Sequence, residues 1–173
     1  AEAWAWSVEE ALAPRSHPGR VFGFFLANEL NWYGESPWEE NEDETLLERA
    51  LETAPRDPAR RAAIGFLRER HASLDAFNAA WGTEFPSWDA LSREGLLAAG
   101  GTEAAASDRS AFLTHVAGRY YGEAARGVRA AAPGRLILGT RFAGSAPGEV
   151  WAACGAHSDV IAVNSYRGRA APS

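Results

Sequence analysis

Lysine and methionine are absent from this chain, cysteine occurs once, and no run of 18 consecutive apolar residues is present. Each absence excludes something. With no Lys, all 17 basic residues are Arg, set against 23 acidic ones, and the net charge of −6 argues against nucleic acid or an anionic membrane surface as a partner. The Arg bias itself reads as codon usage in a GC-rich genome and carries no functional information. Without Met, the chain starts at Ala1 with no initiator, which points to a processed product or an excerpt of a longer chain. The one cysteine, Cys154, cannot form an internal disulfide, and no Cys/His set has zinc spacing. Its surroundings (Val-Trp-Ala-Ala-Cys-Gly) read as a packed helix face, so a buried, inert thiol is expected there rather than a nucleophile. No membrane-spanning segment and no signal peptide are recognisable. Because the start is not expected to be native, that leaves the compartment open.

What is present suits a globular α/β domain: 173 residues, 46% of them hydrophobic, are enough for a sizeable core. Residues 6–13 read as a short helix with Ser7 as N-cap, stopped by Pro14. Val21 to Ala27 is nearly all apolar, as expected for a parallel strand covered on both faces. A long polar and aromatic loop, 31–41, follows it. Helical patterns at 43–53, 58–71, 74–80 and 88–93 are separated by Pro, Ser and Gly signals. A long helix is predicted over 107–131, where Phe112, Val116, Tyr120, Ala124 and Val128 recur every four residues. Residues 136–140 and 160–164 read as two more strands, with a helix at 149–156 between them. Strand, helices, strand, helix, strand is the order of a parallel α/β sheet or barrel. Three strands do not close a barrel, so a larger fold is expected.

Each candidate strand runs into polar groups: Asn28-Glu29 after the first, Arg141-Phe142 at the second, Asn164-Ser165-Tyr166 at the third. In α/β barrels the C-terminal ends of the strands carry the chemistry. Convergence of these ends would gather a carboxylate for proton transfer with amides and a guanidinium for hydroxyl groups. Trp32 and Trp38 would stand nearby, offering indole faces to the apolar faces of sugar rings. Taken singly, Glu29 could cap a helix or pair with a base, and Arg141 could be a structural ion-pair partner.

The segment Gly-Phe-Phe-Leu-Ala-Asn-Glu-Leu-Asn-Trp-Tyr-Gly from Gly23 resembles the fourth-strand Asn-Glu motif of the clan A glycoside hydrolases, retaining enzymes on an eight-fold β/α barrel. Residues 66–83, ending Asn-Ala-Ala-Trp-Gly-Thr, resemble a segment of β-agarases and the related β-galactosidases. Leu138-Gly-Thr-Arg-Phe-Ala and Asp159-Val-Ile-Ala-Val-Asn-Ser-Tyr are similar to the fifth and sixth strands of the agarase-like group. The resemblance covers residues 20–167 in collinear order. It implies a partial (β/α)8 TIM barrel, strands four to six, in one incomplete catalytic domain with a helical insertion at about 42–106.

By this resemblance Glu29 is the general acid/base and Asn28 hydrogen-bonds the sugar 2-hydroxyl, while Trp32, Arg141, Asn164 and Tyr166 line the substrate site. Trp81, in the insertion, is expected to be a core anchor. The nucleophile of such enzymes is a Glu at the end of strand seven, and no residue here matches it. Glu149 opens a helix, Asp159 precedes a strand, and Glu35, Glu39 and Glu40 lie in the loop after Glu29. The expected function is therefore a piece of a retaining hydrolase of β-galactosidic linkages in agarose-like polysaccharide or galactosides, inactive by itself. The alternative is a non-catalytic carbohydrate-binding relative. No metal or organic cofactor is implied, since two carboxylates suffice, and the resemblance leans towards a secreted or periplasmic protein.

Overall fold

The computed structural model describes residues 2–12, 18–32, 45–95, 101–144 and 146–165. The chain divides into two compact units, Ala1–Glu39 with Val116–Ser173, and Glu40–His115. The elements of the first unit are α1 (Glu2–Ala11), β1 (Gly23–Phe24), β2 (Ala27–Asn28), β3 (Leu136–Ile137), β4 (Thr140–Phe142), α7 (Gly148–His157) and β5 (Ala162–Val163). Those of the second are α2 (Leu46–Glu52), α3 (Pro58–Arg70), α4 (Leu74–Trp81) and α5 (Trp88–Glu94). The long α6 (Glu103–Ala131) supplies residues to both.

In the first unit every strand pair among the described residues is parallel. β1 pairs with β3, and β2, β4 and β5 form a sheet in that order. The expected first strand is thus split in two, and so is its partner. Gly139, between β3 and β4, has φ 64°, and a Cβ there would lie 2.9 Å from both Cys154 Sγ and the Val160 carbonyl oxygen. Only glycine fits this break without strain. Leu26 N–H still bonds to Gly139 O at 2.8 Å, which carries the pairing across the kink. Alternation along β4 turns Thr140 and Phe142 inward and Arg141 outward. Thr140 Oγ1 accepts at 3.0 Å from the hydroxyl of buried Tyr121 on α6, and Phe142 packs against Trp151 of α7, with ring centroids 4.0 Å apart. The apolar run from Val21 is only partly covered among the described residues: Leu26 is buried, but Phe22 and Phe25 are exposed.

Ser7 is not an N-cap. The helix runs Glu2–Ala11, and Ser7 Oγ donates to the Ala3 carbonyl one turn back, the bond a mid-helix serine makes. Cys154 is buried, as its packed helix face implies. Beyond Trp32, the expected loop lies outside the described residues.

In the second unit local chemistry sets the helix ends. Asp57, Ser73 and Ser87 each accept a backbone N–H of the first turn of α3, α4 and α5. Asn78 folds the turn after α4: its Oδ1 accepts from Thr83 Oγ1 at 2.9 Å and Phe85 N–H at 3.1 Å, and its Nδ2 donates to Phe85 O at 2.9 Å. Leu47, Leu51, Leu67, Phe77, Trp81 and Leu91 form the core, so Trp81 is the anchor expected. Around it stands a buried carboxylate that the sequence does not announce. Asp108 accepts from Arg70 Nε at 2.6 Å, Trp81 Nε1 at 2.7 Å and His71 Nε2 at 2.8 Å, with its side chain 4% exposed. Burial alone would raise its pKa, but the hydrogen bonds from Arg70, Trp81 and His71 outweigh it and hold the carboxyl below its ordinary value.

Candidate active site

Parallel pairing brings the C-terminal ends of β2, β4 and β5 to one edge. Asn28 is in register with Arg141, and Arg141 with Ala162. Since side chains alternate along a strand, Asn28, Arg141, Ala162 and, two residues on, Asn164 belong to one face, opposite the face of Thr140 and Phe142. Continued alternation would turn Glu29 to the other face. Instead Glu29 has φ 52°, the one non-glycine residue with positive φ among those described. Leaving the extended region, its carboxylate reaches the same face as Asn28.

Three of the expected residues are joined directly. Asn164 Nδ2 donates to Glu29 Oε1 at 2.6 Å and to Asn28 Oδ1 at 3.2 Å. Both ends of this bridge are pinned to β4, because Glu29 N–H bonds to Arg141 O at 2.8 Å and Asn164 N–H to Phe142 O at 2.7 Å. Glu29 and Asn164 are half-buried, and Asn28 is exposed. Arg141 stands beside Asn28 in register, its side chain exposed and its guanidinium carbon 5.3 Å from the centroid of Phe25. Phe25 was missed by the sequence reasoning, which takes it as strand core. It is 47% exposed and shares the neighbourhood of Arg141.

Trp32 is placed differently from the open platform expected. It is 7% exposed, stacks on Tyr121 with centroids 5.8 Å apart, and meets Tyr120 edge-on. Its indole Nε1 is buried without a hydrogen-bond partner among the described residues. With both partners on α6, the indole fastens the segment after Glu29 to the helix layer. Burial pushes the hydroxyls of Tyr120 and Tyr121 above their ordinary pKa. Tyr166 and Trp38 lie outside the described residues, as do Glu35, Glu39 and Glu40. No group of three or more His, Cys, Asp or Glu among the described residues could hold a metal ion, and no described helix is long and apolar enough to cross a membrane.

A carboxylate and two amides, fixed at the C-terminal edge of a helix-backed parallel sheet, form the polar site of an α/β domain. No family model matches the sequence. The chain is, however, β-agarase-like. It is 32% identical over 156 residues to Beta-agarase A of Vibrio sp. (strain JT0107), an alignment that covers 85% of this chain and 15% of that protein. Its fold matches the crystal structure of the agarase AgWH50C with a TM-score of 0.81 at 23% identity, over 94% of this chain and 23% of that one. An exo-beta-agarase matches with a TM-score of 0.73 at 28% identity, over 84% of this chain and 20% of that one. The chain therefore spans less than a quarter of the length of these relatives.

Proposed function

We propose that this chain is the acid/base-bearing part of a retaining glycoside hydrolase that cleaves β-galactosidic linkages in agarose-like polysaccharide, with Glu29 as general acid/base. The observation that carries the proposal is the placement of Glu29: a carboxylate turned onto the face of Asn28 and held by an amide at the C-terminal end of a parallel sheet. Likeness to a β-agarase across most of the chain supports the same reading.

On this reading β2, β4 and β5 end strands four, five and six of an eight-fold β/α barrel, and the helices of about 42–106 are an insertion after strand four. Glu29 gives its proton to the departing glycosidic oxygen, then takes one from the water that opens the glycosyl-enzyme intermediate. Asn28 hydrogen-bonds the sugar 2-hydroxyl, a contact that strengthens in the transition state. Arg141, Asn164 and Tyr166 line the site, and Trp32 acts from beneath by holding the segment that carries Glu29. A retaining enzyme needs a second carboxylate ~5–5.5 Å from the first. It is supplied by a part of the protein other than this chain, which makes the chain inactive by itself.

Glu29→Gln in the full-length protein tests the assignment. Agarose hydrolysis is expected to fall ~10²–10⁴-fold, the usual contribution of a general acid. Activity within about threefold of wild type would refute it, because losing the acid cannot be that cheap.

A further inference from the structure

We infer that Asn164 is the positioning residue of the acid/base, a role that rests on the reading of Glu29 above and differs from contact with the sugar. Its one amide nitrogen serves two consecutive residues, Glu29 Oε1 at 2.6 Å and Asn28 Oδ1 at 3.2 Å. An ionised carboxylate is acceptor-only, so the NH2 end of Asn164 faces Glu29, and its two hydrogens suffice for both bonds.

The geometry of the bridge bears on both residues it joins. With Oδ1 of Asn28 accepting from Asn164, the Nδ2 of Asn28 is left as the donor towards a sugar hydroxyl. The bridge also holds Glu29 at φ 52°, a left-handed conformation that is unfavourable for a non-glycine residue. Because Glu29 and Asn164 are each bonded to the β4 backbone, at Arg141 O and Phe142 O, the spacing of donor and acceptor is set by the sheet.

Asn164→Asp keeps the shape and removes the donor, and the leaving group reports the effect. The full-length variant is assayed on two aryl β-glycosides of one agaro-oligosaccharide, bearing phenolate and 2,4-dinitrophenolate. Phenolate needs a well-aimed acid to depart, whereas dinitrophenolate departs without one. N164D is expected to lower kcat/KM for the phenyl substrate about 10- to 100-fold, as for a misplaced catalytic group, and to leave the dinitrophenyl substrate within about threefold. Loss of folded protein lowers both substrates alike, so the ratio is immune to it. Equal losses on both substrates, or none on either, would overturn the positioning role. E29Q in parallel separates the two claims. A leaving-group effect in E29Q but not in N164D overturns the role of Asn164 alone, while none in either variant overturns the assignment of Glu29 and this inference with it.

Discussion

Glu29, whose carboxylate accepts from Asn164, and Asp108, which accepts from three donors, show what a single residue's sequence context can and cannot reveal. Glu29 was legible as a candidate because it ends an apolar strand at the edge where parallel strands present polar groups. Its left-handed backbone was not legible, since that conformation is the habit of Gly and Asn rather than Glu. Trp32 misled for a related reason: its nearness to Glu29 suggests a sugar platform, but its burial depends on Tyr120 and Tyr121, far along the chain. Asp108 gave no signal at all, because Arg70, His71 and Trp81 are scattered along two other helices and the turn between them. Asp108→Asn should destabilise the helical unit by about 2–4 kcal/mol at pH 7, through loss of a buried charge that its donors require. Urea unfolding followed by hydrogen exchange in α3 and α4 measures this. The sign with pH is fixed by the lowered carboxyl: its stabilisation is complete above the unfolded value near ~4 and disappears as pH falls through the folded one. The gap between wild type and D108N should therefore narrow on acidification towards pH 3, and a gap that widens would contradict the assignment.

Among the elements, helices were read closely and strands loosely. Helices α3, α4 and α5 follow from capping residues and α6 from periodicity, which act within a few residues. Strands are defined by partners elsewhere, so the run from Val21 gave no sign that it splits into β1 and β2, or that Phe22 and Phe25 are exposed. Gly139 causes the matching break on the partner side. Gly139→Ala combines a left-handed backbone with contacts of 2.9 Å to Cys154 and Val160, and should cost about 2–4 kcal/mol in urea unfolding. Gly82, at φ 65° after α4, has open space around its missing Cβ, so Gly82→Ala should cost only about 1 kcal/mol. Equal costs for the two substitutions would show that crowding at the strand break is unimportant.

At the scale of the molecule, the order of elements suggests a parallel α/β architecture, and the pairing of β1 with β3 and of β2 with β4 and β5 is parallel throughout. The alignment with a β-agarase and the fold shared with agarase structures extend over most of this chain, but over less than a quarter of those proteins. On the proposed reading, Glu29 is one of the two carboxylates that a retaining hydrolase needs. The most direct test of Glu29 as the acid/base replaces it by Ala in the full-length protein and supplies azide with a 2,4-dinitrophenyl β-glycoside of an agaro-oligosaccharide. Without the carboxylate, the glycosyl-enzyme intermediate forms but lacks a base for water. Azide, which has no proton to lose, can enter the vacated space and attack the anomeric carbon. Azide should accelerate turnover about tenfold or more and yield the β-glycosyl azide, the retained configuration. An E29A protein that azide does not accelerate, or that gives the α-azide, would contradict the assignment of Glu29.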